Sequence, residues 1–307
     1  MTTTNASGHH DASLAQIPAE LAEIVTLARR AGDLAMGGFG RSERLLKTSA
    51  GAAIAGIEQV EAVTAYDRAV QKLIVEHLRA RHPGDGIIGE ENEAGGITAM
   101  NATAGETAWV IDPIDGTNNY VAGFAAFAVC IARMDAGMPV LGVVHDPVRG
   151  VTYAGIQLGV NKVGAWVISA GGARPVTVQP GSADGRALVM MTCNLMDRHG
   201  RLPGFITHWL LRAPWRMRML GSAAMECAEV GAGTAHAALT INGKLWDVAA
   251  AAAVVLAAGG VVTDLTGKPR FPYATANYDG AKVPFLAGGP KAHAELLADI
   301  RNFGWPT

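Results

Sequence analysis

Residues 108–120, reading A-W-V-I-D-P-I-D-G-T-N-N-Y, constrain this chain more than any other stretch. Trp109, Val110 and Ile111 form a short uncharged run of strand-forming residues. Pro113 has no N–H for a ladder and holds Asp112 extended, so the spacing predicts a strand that ends at Asp112-Pro113. Asp112 and Asp115 then follow at i and i+3, with Gly116-Thr117 directly behind them. A buried strand that delivers two acids to its C-terminal edge is costly unless something positive sits between them. A hard divalent cation such as Mg²⁺ suits that place, because it takes oxygen ligands and uses few protein carboxylates. Gly116 lets backbone N–H groups approach an anion, and the turn can form a nest for phosphate oxygens. The same residues also read as an Asp-Pro turn followed by ordinary Asp-Gly turn chemistry.

Composition narrows the classes. A chain of 307 residues, half of them hydrophobic and 17% charged, can bury a large core as one domain or two and is not disordered. Its 25 basic and 27 acidic residues show no basic cluster, which argues against nucleic acid as a partner. Cys130, Cys193 and Cys227 are odd in number and widely spaced, so they are expected to be reduced core thiols rather than a disulfide frame or zinc site. The polar start of the chain lacks the basic-then-apolar pattern of a signal peptide, and residues 1–15 are expected to be a flexible tail. The most apolar run, 248–260, is too short to cross a bilayer and alanine-rich, which predicts a buried helix. A soluble cytoplasmic protein with no membrane partner is the expectation.

Helical spacing predicts amphipathic helices over 17–39 and 68–81, with Asp67 as a cap at the start of the second. Residues 41–61 read as a loop or hairpin, and 86–91 as a short strand ending in Glu90-Glu91 before a polar loop to Glu106. Short strands separated by turn residues follow over 127–169, as in an antiparallel meander. Beyond a soft boundary near 175–184, strands and helices alternate, with Asp247 opening the alanine-rich helix much as Asp67 opens its own. The division expected is an α+β subdomain over 16–180 with most of the acids, and a second subdomain over 181–307 with Asp247. Asp67, Glu90, Asp112, Asp115 and Asp247 all fall at strand ends or helix starts. Together they can converge on an acidic pocket for two or more metals.

The order of four motifs resembles the inositol monophosphatase family, a Mg²⁺-dependent, lithium-sensitive phosphatase superfamily. Trp109 to Tyr120 matches W-x-x-D-P-[IL]-D-G-T-x-N-[FY]; Trp246-Asp247-Val248-Ala249 with Ala258-Gly259-Gly260 matches the second signature. Gly89-Glu90-Glu91 and the V-T-x-x-D segment ending at Asp67 match the other two, and the likeness spans roughly 17–300. The resemblance implies a layered αβαβα sandwich with two sheets, an α/β fold usually assembled as a homodimer. It also implies roles. Glu90, Asp112 and the carbonyl of Ile114 would hold one Mg²⁺, and Asp112, Asp115 and Asp247 a second. Glu90 and, through water, Asp67 would serve a third. Glu90 and Thr117 would orient and deprotonate the attacking water, with Asp67 as the partner of Thr117. Backbone N–H groups of Gly116 and Thr117 would receive the phosphate. Gly221, Ser222 and Ala223 would line the substrate side, with Asp115 and Asp247 also near the substrate.

The reaction implied is hydrolysis of a small phosphorylated metabolite, a polyol or sugar phosphate such as inositol-1-phosphate. Histidinol phosphate, fructose-1,6-bisphosphate and phosphoadenosine phosphate are the rivals within the fold, and a non-catalytic metal- or phosphate-binding regulator is the rival outside it. Phosphate ester chemistry fits these residue types without a Cys or His nucleophile, since two metals neutralise the phosphoryl oxygens and activate water. Two departures from the family bear on substrate. Thr240 stands seven residues before Asp247, where inositol-hydrolysing members carry a glutamate. The Ala/Gly-rich segment 48–62 is also longer than usual.

Overall fold

The computed structural model describes residues 14–43, 45–54, 57–91, 98–100, 107–159, 162–181, 186–193, 195–196, 201–211 and 213–304. Apolar residues at helical spacing form α1 (Ala19–Met36) and α2 (Ala65–Arg81), separated by a hairpin of β1 (Leu45–Ile54) and β2 (Ile57–Val63). Then come β3 (Gly86–Gly89), β4 (Thr98–Met100), β5 (Ala108–Asp115) and a short α3 (Thr117–Ala122). The meander is β6 (Ala128–Asp135), β7 (Met138–Asp146), β8 (Val151–Leu158), β9 (Lys162–Ser169) and β10 (Gly172–Val176). The remainder alternates: β11 (Leu188–Met191), α4 (Gly204–Leu211), β12 (Arg216–Arg218), α5 (Ala223–Gly231), β13 (Ala237–Thr240), α6 (Leu245–Ala257), β14 (Val261–Thr263), β15 (Phe285–Gly288) and α7 (Pro290–Phe303).

Two sheets result. The larger has eight strands in the order β10-β9-β8-β7-β6-β5-β3-β4, antiparallel except where β3 meets β5. The smaller has five in the order β12-β11-β13-β15-β14, with β11 parallel to both its neighbours. Strand alternation divides the core between the faces of the larger sheet. Trp109, Ile111, Val129 and Ile131 pack beneath α1 and α2, against Leu21, Ile24, Val70 and Ile74. Val110, Cys130 and Ala132 face the other way, onto α5 and α6. Those two helices also pack on the smaller sheet, whose outer face is covered by α4 and α7 through Phe205, Trp209, Leu296 and Ile300. The layers are therefore αβαβα, the α/β sandwich expected. Among the described residues, no helix is long and apolar enough to cross a membrane.

The alanines of 248–260 are explained by this position. A helix between two sheets is apolar all round, and small side chains let it come close. Gly142 and Gly155 complete the fit: a Cβ at Gly142 would lie 2.1 Å from the Ala250 carbonyl oxygen, and one at Gly155 2.6 Å from Val254 Cα. The obstacle at Gly142 is backbone, so it cannot rotate away. Gly142→Ala is expected to destabilise the fold by about 3 kcal/mol, the upper part of the range for overpacking, read as a lower urea midpoint at unchanged slope. A midpoint equal to that of the wild type would mean that α6 is not tightly seated.

Four segments take local structure of their own, and with them the loop expected up to Glu106 and the turn at 116–117 are corrected. Of the loop or hairpin read over 41–61, the hairpin forms. The polar stretch before Glu106 contains β4, paired with β3. The G-G-A-R-P segment forms β10, an edge strand paired on one side, so the missing N–H of Pro175 costs no inner ladder bond. Gly116-Thr117 opens a six-residue helix, not only a turn. The tail expected over 1–15 lies, up to residue 13, outside the described residues.

Candidate active site

Parallel pairing of β3 with β5 aligns Gly89 with Ile111, so the next residues, Glu90 and Asp112, leave the sheet side by side. The Glu90 N–H continues the ladder, donating to the Ile111 carbonyl at 3.2 Å. In a regular strand Asp112 and Asp115 would point to opposite faces, because their spacing is odd. The pairing with β6 shifts register between them: Asp112 opposes Cys130 and Asp115 opposes Ala128. One extra residue on β5 makes a bulge, the device that re-aims a side chain. The strand was expected to stop at Pro113. It runs instead to Asp115, because β5 stays paired with β6 on its other side, where Asp115 opposes Ala128. The Ile114 N–H donates to Asp112 Oδ1 at 3.0 Å and fixes the turn.

The other two acids arrive on helices, at the third residue rather than as the cap itself. Thr64 caps α2, and its N–H and hydroxyl donate to Asp67 Oδ2 at 2.7 and 2.6 Å. On α6 the Lys244 N–H donates to Asp247 Oδ2 at 2.7 Å. A carboxylate in the first turn is favoured by the helix dipole in both cases. Ligand oxygens of Asp112, Asp115 and Asp247 lie within 4.8 Å of one another. Asp115 and Asp247 border a cavity of about 240 Å³ together with Glu90, Gly116 and Thr117, and Asp112 is buried beside them.

Electrostatics mark the cluster as incomplete by itself. Burial, and then the charges of Glu90, Asp115 and Asp247, push the Asp112 carboxyl well above the ordinary range. Asp247 is raised likewise by burial, Asp115 and Glu90. Burial lifts Asp115 to about 6 against the pull of its hydrogen bonds, and Asp67 to about 7. Among the described residues lining the cavity there is no Lys, Arg or His. An all-oxygen donor set with no cationic side chain fits a hard divalent cation.

Thr117 Oγ1 donates to the Ile114 carbonyl at 3.0 Å and lies 3.5 Å from Asp67 Oδ1. Gly221 and Ala223 line the cavity as expected of the substrate side. Ser222 differs: its hydroxyl donates to Asp115 Oδ2, joined by the Ala224 N–H at 2.8 Å, so it supports an acid instead of facing the cavity. The loop is held by Glu226, a buried carboxyl whose Oε1 accepts from the N–H groups of Leu220 and Gly221 at 2.6 and 3.1 Å. Burial raises it to about 8.

Sequence reasoning passed over Glu226 and also the wall formed by Asn118, Thr192, Cys193 and Asn242. Thr192 and Thr240 follow the parallel rung Met191–Leu239, and their hydroxyls meet at 3.1 Å. Their signal was available in principle, since ligands gather at the carboxyl ends of parallel strands. Cys193 is exposed, which corrects the expectation of three core thiols; Cys130 and Cys227 are buried.

Comparison with known proteins gives the family and the fold. The sequence model of the inositol monophosphatase family matches residues 18–304. The "Probable inositol 1-monophosphatase ImpA" of Mycobacterium tuberculosis is 33% identical over 247 residues, covering 79% of this chain and 83% of that protein. The "Histidinol-phosphatase" of Streptomyces coelicolor is 34% identical over 213 residues, covering 67% and 75%. Among solved structures, an IMPase of Thermotoga maritima superposes with a TM-score of 0.73 at 27% identity, covering 92% of this chain and 97% of that one.

Proposed function

This chain belongs to the inositol monophosphatase family and is a phosphoric monoester hydrolase; on that premise we propose that it is Mg²⁺-dependent and acts on a small polyol or sugar phosphate. The observation that carries the reading is the convergence of Asp112, Asp115 and Asp247, the last two lining one cavity with Glu90 and Thr117. Glu90, Asp112, Asp115, Asp247 and the Ile114 carbonyl would hold two or three Mg²⁺. When bound, these ions neutralise the phosphoryl oxygens and make water a better nucleophile. The residues supply position. Gly116 and Thr117 present the phosphate side of the cavity at the start of α3. Glu90 and Thr117 orient the attacking water, and Asp67 takes the proton that the Thr117 hydroxyl passes on.

The far wall favours an uncharged leaving group. Asn118, Thr192, Thr240 and Asn242 offer neutral donors and acceptors, which suit hydroxyls. A second phosphate, as in fructose-1,6-bisphosphate, would seek a cation, and the ammonium of histidinol phosphate a dedicated acid. Inositol-1-phosphate or a similar polyol phosphate is therefore the first substrate to try. The chain would work as a homodimer in the cytoplasm, which sedimentation of the purified protein can check.

The deciding experiment is phosphate release at neutral pH with Mg²⁺, with and without lithium. The panel holds inositol-1-phosphate, fructose-1,6-bisphosphate, histidinol phosphate and phosphoadenosine phosphate. A polyol phosphate should turn over fastest, and Glu90→Gln should lower the rate about 100-fold. Equal rates in the two proteins would sink the mechanism. Silence across the panel, with Mg²⁺ still bound, would favour the non-catalytic regulator.

A further inference from the structure

Glu90 is set in place by its backbone, and one side of that backbone is held by a side chain. Strand β4 pairs with β3 as far as Gly89, opposite Thr98. The next rung is supplied by Gln71 of α2. Its Oε1 accepts from the Glu91 N–H at 2.9 Å, and its Nε2 donates to the Glu91 carbonyl. A side-chain amide thus meets a peptide group in both directions, as a neighbouring strand would. Gln71 is 6% exposed and follows Asp67 by one helical turn, on the same face of α2. Gly89 makes the approach possible, since a Cβ there would sit 2.5 Å from Gln71 Oε1. On the opposite side, the Glu90 N–H is bonded to Ile111, one residue before Asp112.

We propose that Gln71 is a positioning residue, which clamps the end of β3 so that Glu90 stands against Asp112 and the acid cluster is preformed for a divalent cation. The proposal rests on the reading of this cluster as a metal centre. Gln71 is not among the residues that line the cavity, so it acts through Glu90. An apolar replacement leaves two backbone groups of the buried Glu91 without their partner. Such groups are strongly driven to find another. The strand end then moves toward water and takes Glu90 with it.

Calorimetric titration of the whole protein with Mg²⁺, without substrate, tests this. Gln71→Leu should weaken Mg²⁺ binding about 10- to 100-fold, the usual effect of removing a support of a ligand. Gln71→Glu keeps the acceptor and, when ionised, loses the donor, so its loss should be smaller; it decides the matter if the leucine variant does not fold. Ile74→Ala is the control, a buried residue three positions along the same helix. It should lose stability and bind Mg²⁺ as the wild type does. Wild-type affinity in both Gln71 variants would overturn the proposal, as would an equal loss in Ile74→Ala, which would mean a general packing role. Failure of the wild type itself to bind Mg²⁺ would overturn the metal-centre reading first, and this inference with it.

Discussion

Asp112→Asn is expected to abolish turnover and yet to make the metal-free protein more stable. Asp112 is 1% exposed, and burial with four neighbouring carboxylates raises its carboxyl well above the usual range. The folded state therefore holds a proton that the unfolded chain has already released. Stability from this group is full below the unfolded value near 3.8 and is lost as pH rises through the folded one. Asparagine has nearly the same shape and keeps an acceptor for the Ile114 N–H, now 3.0 Å from Oδ1, but carries no charge to bury. In EDTA at pH 8 the variant should be more stable by about 1–4 kcal/mol, the scale on which removing buried charge relieves a fold. At pH 4 the gain should vanish, because the wild-type carboxyl is then protonated too. Mg²⁺ should reverse the order. At a hundred times its dissociation constant a cation adds about 2.7 kcal/mol to a protein that binds it, and the variant should gain little. Turnover should fall about 1,000-fold or more, as the cation's share of the barrier amounts to several kcal/mol. Urea unfolding at the two pH values, with and without Mg²⁺, checks every part. A variant less stable than the wild type in EDTA at pH 8 would show that the acids are not in conflict.

The acids were legible in the sequence because each sits where periodicity breaks: Glu90 after β3, Asp112 and Asp115 along β5, Asp67 and Asp247 in first helical turns. Local chemistry places such residues at the ends of elements, and ends converge at one edge of a sheet. The bulge was not legible. An i and i+3 pair on a strand reads as opposite faces, and the shift that unites Asp112 with Asp115 comes from pairing with β6, a partner that the motif does not encode. Thr192 escaped for a related reason, and Thr240 stood out only as a departure from the family. They meet only because β11 and β13 run parallel in register. Gln71 and Glu226 were hidden in a different way. Each occupies a buried face of a helix where a polar residue reads as an exception, and each proves to bind backbone on a neighbouring segment. Strands β4 and β10 lie in Gly- and Pro-rich sequence whose own preference is for turns, and pairing overrides it.

Thr117→Val is expected to separate catalysis from metal binding. The hydroxyl has one proton, now on the Ile114 carbonyl at 3.0 Å, with Asp67 Oδ1 at 3.5 Å as the other acceptor. A 3.5 Å contact is long for an O–H donor, but catalytic hydrogen bonds commonly tighten once substrate is bound. Asp67 is suited to receive the proton, because burial lifts its carboxyl to about 7, close to neutral pH. Its other oxygen is occupied by Thr64, so the carboxylate is aimed as well as tuned. Valine fills the same volume and cannot relay a proton. The rate of hydrolysis should fall about 1,000-fold, within the span for loss of acid–base assistance. Mg²⁺ affinity should stay within about threefold of the wild type, since the carboxylates are untouched; that is a difference below about 0.7 kcal/mol. Thr117→Ser, which restores the hydroxyl, should recover most of the rate. Calorimetry and single-turnover hydrolysis on the three proteins distinguish the cases. Parallel loss of Mg²⁺ binding and rate in the valine variant would make Thr117 a support for the metal site, and an unchanged rate would remove it from the reaction altogether.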